Sequence, residues 1–174
     1  LEQRIQAITQ ADDNEDWQKA LRSGRRIRDK SPGIYTAFDN VRCAAEASSA
    51  AEQAGDVRRG GPKARSCRNK LLNALALVYL NAESVEHHFG YTSSQYRSTH
   101  QPMPHTLTLD ESATQKGLMD WSAVLMLRTA EAALAHRAAV ERPGPTGLQL
   151  AAQAHGEVRT TILLWVGALS EEPA

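Results

Sequence analysis

Between Leu71 and Phe89 an apolar residue recurs every three or four positions: Leu71, Leu75, Val78, Ala82, Val85 and Phe89, with Leu72 and Tyr79 widening the stripe. A β-strand cannot collect this set on one face, because strand side chains alternate every second residue. The spacing predicts a long amphipathic helix from Pro62 or Lys63 to about Phe89. Such a stripe must be covered by other helices, so the segment commits the chain to an α-helical bundle.

The remaining segments fit that demand. Leu1, Ile5 and Ile8 mark a short first helix over residues 1–10. A second helix is expected after a cap at Asp12 or Asp13, with Glu15 and Asp16 favourable to its dipole. It places Trp17, Ala20, Leu21, Gly24 and Ile27 on one face, and Ser31-Pro32-Gly33 stops it. A third runs from about Tyr35 to Gly55, and its Ala/Ser-rich half, containing Cys43, would admit a close neighbour. Thr108-Leu109-Asp110-Glu111 reads as a capping box opening a fifth helix that reaches Glu141. Leu118, Trp121, Leu125 and Ala132 are expected to face inward there, with Val124, Leu127 and Leu134 beside them. Arg142-Pro143-Gly144-Pro145 ends it, and a last helix from about Thr146 to Leu169 turns Leu148, Ala152, His155, Ile162, Trp165, Val166 and Leu169 inward. Gly90 to Thr108, rich in Ser and Thr and holding Pro102 and Pro104, is expected to be a long loop.

The expected fold class is therefore all-α: a single-domain helical bundle of five to six helices over residues 1–174. Basic N-terminal helices (1–60) would flank a main bundle (62–170). Abundant Ala and sparse β-branched residues agree. No apolar run approaches ~18 residues, so no membrane partner is expected. Residues 1–10 lack the basic-then-apolar pattern of a signal peptide, and the two cysteines form no C-x-x-C pair, so a reducing, cytoplasmic setting is expected.

Charge is where the sequence points beyond architecture. Lys and Arg number 20, as do Asp and Glu. Residues 1–70 nevertheless hold fourteen basic side chains against ten acids, and residues 71–174 hold six against ten. One basic cluster is Arg22, Arg25, Arg26, Arg28 and Lys30; the other is Arg58, Arg59, Lys63, Arg65, Arg68 and Lys70 around Gly60-Gly61-Pro62. The second is no phosphate-binding P-loop, since Ala64 stands where Ser or Thr should follow the lysine. Its cations sit at the start of a helix, where the dipole opposes positive charge by a few tenths of a kcal/mol each. A bound polyanion would relieve that opposition, whereas the plainer alternative is a solvated face. If the clusters adjoin, they make a stripe suited to phosphates.

Other chemistries find little support. A helix-turn-helix across Ser31-Pro32-Gly33 would push small and acidic residues into a DNA groove. Tyr91, Tyr96 and Arg97 could stack on single-stranded bases, but packing onto the bundle explains them as well. His87, His88, His100 and His105 lack the E-x-x-H pairing of a di-iron bundle, so no metal and no cofactor is expected. Cys43 reads as a small buried residue, Cys67 between Arg65 and Arg68 as a reactive thiol at most, and no catalytic residue is assigned.

Size, helical content and a one-sided basic face resemble the small helical subunits of multi-subunit CRISPR surveillance complexes of antiviral defence, which line the path of the displaced DNA strand. The likeness is one of general character over the whole chain and carries no residue assignments. It implies several copies stacked along a guide-RNA filament. The expected function is non-enzymatic: binding of nucleic-acid backbone, single-stranded DNA or RNA, without reading sequence. The expected partners are that nucleic acid and other protein subunits, copies of itself among the options. The alternatives are a protein–protein adaptor or structural helical protein and, behind it, a metal- or ligand-binding helical-bundle enzyme.

Overall fold

A computed structural model describes residues 2–27, 40–47, 62–97 and 118–171. Among these residues there are six helices and no strand: α1 (Glu2–Asp13), α2 (Glu15–Ile27), α3 (helical residues 40–47), α4 (Pro62–Arg97), α5 (Leu118–Glu141) and α6 (Pro145–Glu171). The all-α bundle is as expected.

α6 is the axis of the fold, contacting α1, α4 and α5. No residue from Ala151 to Leu169 stands exposed. α5 and α6 run antiparallel: Trp121 stacks on Trp165, while further along α5 His136 meets His155 further back on α6. Arg142–Gly144 makes the tight turn between them, and Pro145 opens α6, where a missing N–H breaks no helical bond. The predicted stripe of α4 is buried from Leu71 to Ala82: Leu71, Leu72, Leu75, Val78 and Ala82 share one cluster with Trp17, Trp121, Trp165 and Ile162, Val85 is partly buried against a second cluster, and the Phe89 side chain lies outside the described residues.

Four local expectations are corrected. Asn14, rather than Asp12 or Asp13, caps α2: the Trp17 N–H donates to its Oδ1 at 3.0 Å. Its Nδ2 also donates to Ser170 Oγ at 2.7 Å, tying the α1–α2 corner to the end of α6. α4 does not stop at Phe89 but continues through Gly90–Arg97, because that stretch is loop-like in composition yet contains no proline. Cys43 is exposed, since Val41 and Ala45 occupy the inward positions of α3. Leu127 and Leu134 face solvent, because α5 buries the stripe Trp121, Leu125, Thr129 and Ala132. α5 is apolar on both faces, so periodicity could not choose between them. The Ser31–Gly33 stop, the capping box at Thr108–Glu111 and residues 98–108 of the expected loop lie outside the described residues.

Two glycines permit close helix crossings, with different tolerance. A Cβ on Gly167 would stand 2.1 Å from the Ala7 carbonyl oxygen, a backbone atom that cannot retreat without moving α1. A Cβ on Gly24 would meet Leu80 Cδ1 at 2.8 Å, the far end of a rotatable side chain. Gly167→Ala is therefore expected to destabilise the fold by about 3 kcal/mol. Gly24→Ala should change stability by no more than about 1 kcal/mol, because alanine's helix propensity offsets the crowding. Urea unfolding followed by circular dichroism measures both, and equal effects of the two substitutions would contradict this packing.

Candidate nucleic-acid interface and the buried polar seam

Where α2 packs on α4, Trp17 and Gly24 both meet the short stretch Ala76–Leu80. The Trp17 ring stands edge-on to Tyr79 at 5.6 Å, and Gly24 lies against Ala76, Leu77 and Leu80.

With Gly24 turned toward α4, the helical repeat sends Arg22 and Arg26 to the opposite side of α2 and Arg25 to its flank. All three are exposed. On α4 the core stripe begins at Leu71, which leaves Lys63, Arg65 and Lys70 exposed in the first turns. Arg68 falls on the core side of the helix and is half-buried. No acid stands in the first turn of α4. Among the described residues no carboxylate comes within salt-bridge distance of Arg22, Arg25, Arg26, Arg65 or Lys70. The described members of the two basic clusters thus stand on two helices that pack against each other. Arg28, Lys30, Arg58 and Arg59 lie outside the described residues.

Among the described residues, the metal and nucleophile candidates considered from the sequence do not gather into a site. His87 is exposed, Cys43 and Cys67 are free thiols, and the described residues hold no group of three or more metal-ligating side chains. His100 and His105 lie outside the described residues, and Tyr91, Tyr96 and Arg97 fall on the last turns of α4.

A part-buried polar seam, marked by no sequence motif, links α6 to its neighbours. Arg159 of α6 donates to Glu86 Oε2, to the Tyr79 hydroxyl at 2.9 Å and to Glu83 Oε2 at 3.4 Å, all on α4. Burial opposes its charge, but the bonds to Glu86 and Tyr79 outweigh burial and raise its pKa. On the α5 side, Arg128 bonds Glu131 at 3.1 Å and lies 3.8 Å from the buried carboxylate of Glu157 on α6. Only contact order across three helices assembles these groups; the lone signal was charged residues within an otherwise apolar α6. These pairs join α6 to α4 on one side and to α5 on the other.

His155 belongs to this seam. Burial, reinforced by the adjacent His136, lowers its pKa from 6.5 to about 4. The unfolded chain therefore takes up this proton at a higher pH than the folded chain. Between those pH values the unfolded state binds more protons, so stability falls as pH falls. The full effect is on the order of 3 kcal/mol. His155→Gln removes this titration, so the stability difference between wild type and variant should change by that order between pH 7 and pH 4. Urea melts across the range test it; a constant difference would show that His155 does not titrate in this way.

No protein-family model, curated protein or solved structure matches this chain.

Proposed function

We propose that the chain is a non-catalytic helical subunit that holds nucleic-acid backbone without reading sequence, inside a larger assembly in the cytoplasm. One observation carries the reading. The contacting helices α2 and α4 leave Arg22, Arg25, Arg26, Arg65 and Lys70 exposed with no carboxylate in salt-bridge range among the described residues. A fold that needed these cations for itself would pair them, as it pairs Arg128 and Arg159. Separated charges on two helices suit a flexible phosphate chain, because phosphate contacts position a strand without specifying bases. The general likeness to the small subunits of CRISPR surveillance complexes names one assembly of this kind. Recovery of a ribonucleoprotein with the chain from its native host tests that identification separately.

A second reading, a protein–protein adaptor, rests on the apolar outer face of α5, where Met126, Leu127 and Leu134 are exposed.

Fluorescence anisotropy with unrelated single-stranded DNA and RNA separates the two. Six cations engaged on a single strand would give a log–log salt slope of about −4. Reversing Arg22, Arg25 and Arg26 to Glu, or Lys63, Arg65 and Lys70 to Glu, should each reduce that slope by roughly half. Helical content should be unchanged, since all six are exposed. Absence of binding even at low salt would leave the adaptor reading standing.

A further inference from the structure

α5 carries two apolar faces, and only one is used. Its inner stripe packs on α6, whereas Ala123, Met126, Leu127, Ala130 and Leu134 line the outer side. Among the described residues, five large apolar side chains stand exposed, and four are on this helix: Met126 at 53%, Leu127 at 55%, Leu134 at 69% and Val140 at 62%. A helix apolar all round is normally covered on both sides.

We infer that the outer face of α5 binds the same face of a second copy of this chain, with the two helices antiparallel about a two-fold axis. The argument is self-complementarity. Asp120, Leu127 and Leu134 recur with heptad spacing, and so do Ala123, Ala130 and Arg137, three positions further on. These are the two rows of a coiled-coil seam. In an antiparallel pair each row faces the other. One register sets Ala123 opposite the partner's Leu134 and Leu127 opposite the partner's Ala130, so every apolar layer joins a large side chain to a small one. The same register sets Asp120 opposite the partner's Arg137 at both ends. Asp120 and Arg137 are both exposed in the single chain. Alternating large and small residues let two helices interdigitate closely, and the terminal charge pairs fix direction and register. A parallel pairing would instead put Asp120 against Asp120 and Arg137 against Arg137, which is repulsive. An unrelated partner would have no reason to find this size and charge pattern inverted about its own centre.

The seam from Asp120 to Arg137 is about 26 Å long at ~1.5 Å per residue. A contact of that length lies at the small end of specific interfaces, so a reversible dimer is expected. The pairing is independent of the nucleic-acid reading, and its test contains no nucleic acid. Sedimentation equilibrium of the full chain, from about 1 to several hundred micromolar, should give a two-chain mass at the upper end. Asp120→Arg alone and Arg137→Asp alone should each weaken association about tenfold or more. The double variant Asp120→Arg/Arg137→Asp should restore it to within roughly threefold, since opposite charges again face each other. Leu127→Glu/Leu134→Glu should abolish association while leaving helicity and melting temperature unchanged. That variant decides the matter if Asp120→Arg, at the start of α5, perturbs folding. A one-chain mass at every concentration, meaning that another segment or another protein covers the face, would overturn the proposal. So would association indifferent to the leucine substitutions, or single charge reversals that disrupt while the double swap fails to rescue.

Discussion

The described helices are arranged around one helix, α6, that exposes no residue fully to water over most of its length. Between Ala151 and Leu169, α6 is enclosed by α1, α4 and α5. A purely apolar helix in that position would be stable but poorly specified, because it could rotate or slide against its neighbours at small cost. Its polar side chains remove that freedom. Thr160 and Thr161 donate their hydroxyls one turn back, to the carbonyls of Gly156 and Glu157, and so need no outside partner. Arg159 and Glu157 do look outward, the first to α4 and the second to α5. One helix therefore carries opposite charges toward different neighbours, and only one rotation satisfies both. Breaking the Arg128–Glu157 pair would weaken the compensation of a buried carboxylate, whereas water partly screens the half-buried Arg159 cluster.

Small residues complete the enclosure. Large side chains at the α1–α6 crossing would hold the helices apart and admit solvent to α6. Instead Gly167 meets the backbone at Ala7, and Ala11 is fully buried one turn further along α1. Asn14 then serves two ends at once, capping α2 and bonding Ser170. The position of α2, and with it Arg22, Arg25 and Arg26, thus depends on the terminus of a helix more than a hundred residues away in sequence.

What could be read beforehand follows from how local the governing physics is. The stripe of α4, the inward face of α2 and the buried His155 and Trp165 came directly from apolar spacing, because one water-facing side makes the pattern legible. α5 was misread at Leu127 and Leu134 because both its faces are apolar, and spacing then says nothing about which is covered. The cap was assigned to the wrong residue because Asp12, Asp13 and Asn14 are chemically near-equivalent there. The basic clusters were visible as composition, but their placement on two contacting helices was not, since it depends on Gly24 meeting Leu80. The seam through Tyr79, Glu86, Arg128, Glu157 and Arg159 was invisible for the same reason: its members are far apart in the chain.

Two surfaces left open among the described residues have opposite chemistry, and the two proposals made for them bear on each other. A phosphate contact at a solvated cation is individually weak and salt-screened. A single chain offers few of them, divided between α2 and the start of α4, so one copy alone would grip a strand loosely. Pairing through the outer face of α5 would bring a second basic helix pair onto the same strand without adding a single new cation to the sequence. The gain would come from effective concentration, provided one strand could reach both pairs. A chain whose charges balance overall could in this way acquire strong polyanion binding only when assembled. The apolar face would then be what makes the basic one sufficient, and the neutral net charge would limit indiscriminate binding by the unassembled chain.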